Sequence, residues 1–118
     1  MPWKMLHSWY ATLRRGQADP PMPLTLVTLR GMEDSTQDEI AFYAEAEFEA
    51  LVDWAANGCF VMAFVARERD ELTLLCTESV ETMQMRVREL PLVVAGLAHA
   101  DIRTVATVRL ASPVASSH

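Results

Sequence analysis

Among the side chains able to move a proton, Glu47 keeps the most unusual company. With a step of roughly 100° per residue in a helix, Ile40, Ala44, Phe48, Leu51 and Ala55 fall on one side of the stretch around it, with Tyr43 and Trp54 beside them. Glu47 lands inside that apolar arc, between Trp54 and Ile40, while Glu45, Glu49 and Asp53 fall on the opposite side. A carboxylate on the packing face of a helix must be paired, protonated or placed at the wall of a cavity. Desolvation raises its pKa and makes it a better general acid or base near neutral pH. The plainer alternative puts Glu47 at the rim of the helix, reaching water or pairing with an arginine.

Other chemistry has less support. His99 precedes the last expected strand and could approach a pocket mouth as a second acid/base, although a surface position suits it better. His7 lies near the amino end and His118 at the carboxyl end. Neither a His-x-x-x-His nor a Cys-x-x-Cys spacing occurs, so no metal site is expected. Glycines at positions 16, 31, 58 and 96 cannot build a phosphate-binding loop, so no cofactor is expected either. Cys59 and Cys76 sit inside apolar segments and read as buried free thiols. Tyr43, Trp54, Phe60, Met62 and Phe64 could wall a pocket for a flat apolar ligand.

The composition limits the function classes. With 51% hydrophobic and 22% charged residues in 118, the chain is neither disordered nor collagen-like. No apolar run approaches the ~18 residues of a membrane span. The formal net charge is −6. Between Arg30 and Arg67 lie eight carboxylates and no Lys or Arg, which leaves +2 on the rest. An acidic chain with a single lysine is a poor partner for a phosphate backbone. The first ten residues lack a secretory pattern, and a cytoplasmic protein is expected.

Positioning elements can be read from local signals. Residues 1–23 carry Trp3, Trp9, Tyr10 and then three prolines in four positions, which reads as an extension. Leu24 to Arg30 reads as a strand bounded by Pro23 and Gly31. Ser35 or Thr36 starts a helix with Asp38 or Glu39 three residues on, and Gly58 ends it after about Asn57. Cys59 to Ala66 and Glu71 to Thr77 make a hairpin around a polar turn. Ser79 caps a second helix whose apolar face is Val80, Met83, Val87 and Leu90, and Pro91 ends it. Asp101 to Leu110 alternates as a last strand, and 111–118 reads as a loose tail. The order, strand–helix–strand–strand–helix–strand, predicts an α+β ferredoxin-like domain over 24–110: a four-stranded antiparallel sheet with both helices on one face.

Both faces of the hairpin strands are apolar. Simple alternation puts Phe60, Met62 and Phe64 on one face and Cys59, Val61, Ala63 and Val65 on the other. An uncovered face of this kind would leave a large apolar patch in water, so a second sheet is the expected cover and a dimeric barrel the expected assembly.

Three segments resemble the muconolactone isomerase-like proteins of the dimeric α/β-barrel superfamily. They are the Glu-bearing helix from Glu45 to Gly58, the hairpin through Leu72-Thr73-Leu74-Leu75, and Ser79-Val80-Glu81-Thr82-Met83 leading to Glu89-Leu90-Pro91-Leu92-Val93-Val94-Ala95-Gly96-Leu97. The resemblance spans about Leu24 to Leu110. It implies a homodimer or a ring of dimers, a pocket between sheet and helices, and proton transfer within an unsaturated lactone without metal or cofactor. It implies a helix glutamate as acid/base, here Glu47, with Glu45 or Glu49 matching after a small shift. The strand after the helix departs from the family pattern, which is rich in Trp, Arg and His. Here it reads Cys59-Phe60-Val61-Met62-Ala63-Phe64-Val65, and a lactone carboxylate would find no evident cation in it. The expected function is therefore a cofactor-independent isomerase or cyclase acting on an apolar cyclic or polyketide-like substrate. The alternatives are a cofactor-free monooxygenase of aromatic polyketides, and a non-catalytic dimeric binding or assembly protein.

Overall fold

The computed structural model describes residues 23–108. The expectations for the extension before Pro23 and for the tail from Ala111 lie outside the described residues. The chain divides into two units, and Leu24–Val105 is the one that holds the helices and nearly all of the sheet. Its elements are β1 (Pro23–Gly31), α1 (Gln37–Ala56), β2 (Phe60–Val65), β3 (Glu71–Cys76), α2 (Val80–Val87), α3 (Pro91–Val94) and β4 (Ala98–Ala106). The four strands form one antiparallel sheet in the order β2-β3-β1-β4, an α+β arrangement compatible with the ferredoxin-like expectation.

Local chemistry fixes the helix ends. Thr36 caps α1 in a full capping box: its side chain accepts from the Glu39 N–H at 3.1 Å, and the Glu39 carboxylate accepts from the Thr36 N–H at 3.0 Å. At the other end Gly58 takes φ 72°. The Cys59 N–H donates to the Trp54 carbonyl and the Gly58 N–H to the Ala55 carbonyl, so the last carbonyls of α1 are satisfied as the chain turns into β2. Ser79 caps α2 through the Thr82 N–H. Pro91 does not close α2, which stops at Val87; it opens the one-turn helix α3 instead, where its missing N–H costs nothing. Gly96, at φ 74°, ends α3 by the same device as Gly58, with the Leu97 N–H on the Leu92 carbonyl. That early stop lets β4 begin at Ala98, three residues before the alternation suggests.

The pairing register decides which side chains meet. Thr25, Val27 and Leu29 stand opposite Cys76, Leu74 and Leu72. On this face Val27, Leu29, Leu74 and Cys76 pack with Trp54, Met83, Val87 and Leu90 into the core, and Ala100 and Ile102 of β4 join them. The helices thus cover one face.

The other face differs from expectation. A register shift between Phe60 and Met62 inserts Val61 as a bulge. Phe60, Ala63 and Val65 consequently face the helices, opposite Cys76, Leu74 and Leu72, while Met62 and Phe64 face the open side, opposite Leu75 and Thr73. Simple alternation, which put Phe60 with Met62 and Phe64, fails at the bulge. The open face is also less uniformly apolar than the hairpin strands suggest. Arg30 bridges Glu71 (3.2 Å) and Asp101 (2.9 Å) across three strands, and Thr28 meets Thr73 at 3.3 Å between their hydroxyls. Its apolar part is Leu26, Leu75, Met62 and Phe64.

Met83 is fully buried where α2 meets the sheet. Met83→Ala should therefore destabilise the fold by about 2–5 kcal/mol, read as a lower midpoint in urea unfolding with an unchanged slope.

Candidate functional site

Glu47 lies midway along α1 and is only 8% exposed. Its partner is not an arginine. Oε1 accepts a hydrogen bond of 3.0 Å from the backbone N–H of Leu92. The reason lies in α3: Pro91 has no N–H to offer, Leu90 at the cap position has no side-chain acceptor, and the Leu92 N–H is the next unsatisfied donor. Among the described residues Oε1 alone of the two carboxyl oxygens has a hydrogen-bond partner, and Oε2 is not sealed from solvent.

Two hollows share Glu47, Leu51, Val65, Leu72 and Leu92. The first, of about 290 Å3, lies among Leu29, Ile40, Leu97 and those shared residues, with Arg30, Arg69, Asp70 and Glu71 towards its mouth. The second is a groove of about 560 Å3 between α1 (Ala44, Phe48, Val52, Ala55) and β2 (Phe60, Ala63, Val65). Glu47 is its single polar wall residue. Burial pushes the Glu47 carboxyl above the ordinary carboxylate range, and the Leu92 N–H partly offsets this. A carboxyl group with one oxygen fixed and the other free beside an apolar groove can take up or deliver a proton.

The structure brings together only part of the residue set expected from the sequence. Glu47 and Phe60 share the groove. Trp54 is buried in the core cluster, not in a hollow wall. Tyr43 is half-buried and meets Phe42 edge-on, with ring centres 5.0 Å apart. Met62 (51% exposed) and Phe64 (50%) lie across the sheet from Glu47. His99 is also on the far side: Ala98, Ala100 and Ile102 turn inward, and the His99 side chain, 61% exposed, pairs with Asp101 at 3.4 Å. Glu47 and His99 therefore lie on opposite faces of the sheet and do not share a hollow. Glu45 and Glu49 are exposed. Sequence reasoning missed the groove walls Phe48, Val52, Ala63 and Val65 and the Leu92 amide. The first four carried a signal in the apolar side of α1 and of β2, but the amide carried none, since any residue except proline supplies one.

Elsewhere, burial pushes the thiol of Cys59 up to about 11 and that of Cys76 up to about 12, so neither is a nucleophile at neutral pH. Glu78 and Arg86 form a two-point ion pair, with contacts of 2.8 and 3.0 Å, that holds Glu78 below the usual carboxylate range. Among the described residues no group of three or more His, Cys, Asp or Glu could hold a metal ion, and no helix is long and apolar enough to cross a membrane.

No family model, curated protein or solved structure matches the chain.

The raised affinity of folded Glu47 for its proton has a direct consequence. Above the ordinary carboxyl value of about 4.3, the folded state binds more protons than the unfolded one, so this group makes stability fall as pH rises through the folded pKa. Glu47→Gln keeps an acceptor for the Leu92 N–H but cannot ionise. In urea unfolding between about pH 4 and pH 8, the variant should gain on the wild type as pH rises; a constant difference would show that Glu47 titrates normally.

Proposed function

We propose that the chain is a cofactor-independent small-molecule enzyme of the muconolactone isomerase-like kind, an isomerase or cyclase that moves a proton on an apolar cyclic or polyketide-like substrate. The observation that carries this reading is Glu47: a buried carboxyl group with Oε1 held by the Leu92 N–H, Oε2 without a partner among the described residues, and two hollows against it. A ligand seated in the groove places its reacting carbon or oxygen beside Glu47. The ionised carboxylate removes a proton from one position and, as the acid, returns it at another. The fixed Oε1 prevents rotation of the group between the two steps, which preserves the alignment that proton transfer needs.

The active assembly in this reading is a homodimer, with two open sheet faces meeting through Leu26, Leu75, Met62 and Phe64. Half-exposed Met62 and Phe64 support it, since side chains of this size gain by leaving water. Buried free thiols at Cys59 and Cys76 suit a reducing, cytoplasmic setting.

A second reading, a non-catalytic binding or assembly protein, is favoured by one observation: capping α3 is already a structural task for Glu47. Solvent exchange separates the two. Butenolides and cyclic enones incubated with the protein in deuterium oxide should gain deuterium, read by mass spectrometry, and Glu47→Gln should slow this by about 100-fold or more while circular dichroism shows an intact fold. Deuterium gain that survives the substitution removes Glu47 from the chemistry, and none across the panel favours the assembly reading. Phe64→Asp should convert a dimer into a monomer in sedimentation, since it buries two unpaired charges at the joint.

A further inference from the structure

The charges around the two hollows restrict what can bind. Arg30 and Arg69 are the cations of the first hollow, and both are engaged by Glu71: Arg30 Nε at 3.2 Å and Arg69 Nη1 at 3.6 Å. Arg30 also holds Asp101 at 2.9 Å. Asp70 and Glu47 add further negative charge to the same hollow. Among the described residues the groove has no cation, and Glu47 is its one ionisable group. An anionic ligand would give up its hydration to enter an apolar trough and meet a carboxylate there, with no counter-ion to offset either cost. A neutral ligand carrying one hydroxyl would leave its apolar body among Phe48, Val52, Phe60 and Ala63 and donate a single hydrogen bond to Oε2, which has no partner among the described residues.

We infer that the two hollows form one site that selects uncharged ligands, an apolar ring body lying between α1 and β2 with one hydroxyl group donating to Glu47 Oε2, and that it excludes carboxylates. This rests on the proposal that the groove is the substrate site, and narrows it to an uncharged substrate class, unlike the lactone acids that the family resemblance implies.

Two probes of nearly equal size test it: 2-naphthol, which is neutral near pH 8, and 2-naphthoate, which is an anion. Each is titrated into the full chain and followed by its own fluorescence. The naphthol should bind more tightly by about tenfold or more. Glu47→Gln removes the charge at the groove and should narrow that ratio towards unity, chiefly by improving naphthoate. Ala63→Trp, which fills the trough, should abolish binding of both, with circular dichroism confirming the fold. Naphthoate binding as well as or better than naphthol overturns the charge selection and leaves the groove as a ligand site. Naphthol binding that survives Ala63→Trp overturns the placement. Failure of both probes to saturate overturns the ligand site itself, and with it the catalytic reading. The wild-type comparison decides the charge selection alone, so a variant that does not fold leaves it standing.

Discussion

One hydrogen bond organises the region that matters: the Leu92 N–H on Oε1 of Glu47. A helix of one turn has almost no stability of its own, and α3 has no side-chain cap. Its amino end is held by a carboxylate 45 residues away in sequence. Its carboxyl end is held by Gly96, and the Leu97 carbonyl just beyond accepts from the Met32 N–H and the Ser35 hydroxyl. The loop between β1 and α1, the middle of α1 and the whole of α3 are thereby tied into one frame around the first hollow. Without the carboxylate, α3 would have a free donor pointing into an apolar space, and the wall that Leu92 provides to both hollows would lose its anchor.

The sheet separates two kinds of surface. On the helix side Glu47 is the single ionisable group among the described walls of the groove between α1 and β2. On the open side charges are paired across strands, from Asp101 through Arg30 to Glu71 and on to Arg69. The bulge at Val61 makes this division sharper than alternation would, because it sends Phe60 inward and Met62 with Phe64 outward. Among the described residues Glu47 is consequently a lone carboxyl group on its side of the sheet's apolar groove. His99, on the far face and bound to Asp101, has no route to share a proton with it.

What the sequence revealed follows from the range of the interactions involved. The Thr36–Glu39 capping box, the Ser79 cap and the stop at Gly58 are local, made within a few residues, and each left its signature in residue type. The hairpin and the antiparallel sheet followed from lengths and turn chemistry. The bulge did not, because Phe60 through Val65 are apolar at every position and nothing in the pattern distinguishes one register from another. Trp54 and Tyr43 share the side of α1 on which Glu47 lies, but helical angle alone does not distinguish a core contact from a cavity wall. The position of Glu47 within the apolar arc was legible; its partner was not, since a backbone donor contributed by a distant one-turn helix has no sequence signature.

The remaining question is why position 47 is Glu. Capping α3 explains an acceptor at this place: Leu90, at the cap position, is 1% exposed and belongs to the core, so no polar cap can stand there. Capping does not explain a charge. A glutamine would present the same carbonyl oxygen to the Leu92 N–H without the cost of desolvating an ion. Glu at this position spends stability at neutral pH on a group whose second oxygen has no partner among the described residues. Proton transfer to a ligand uses what capping leaves idle, namely an oxygen that can gain and lose a proton beside an apolar groove. The excess of the residue over its structural task supports the catalytic reading over the assembly one.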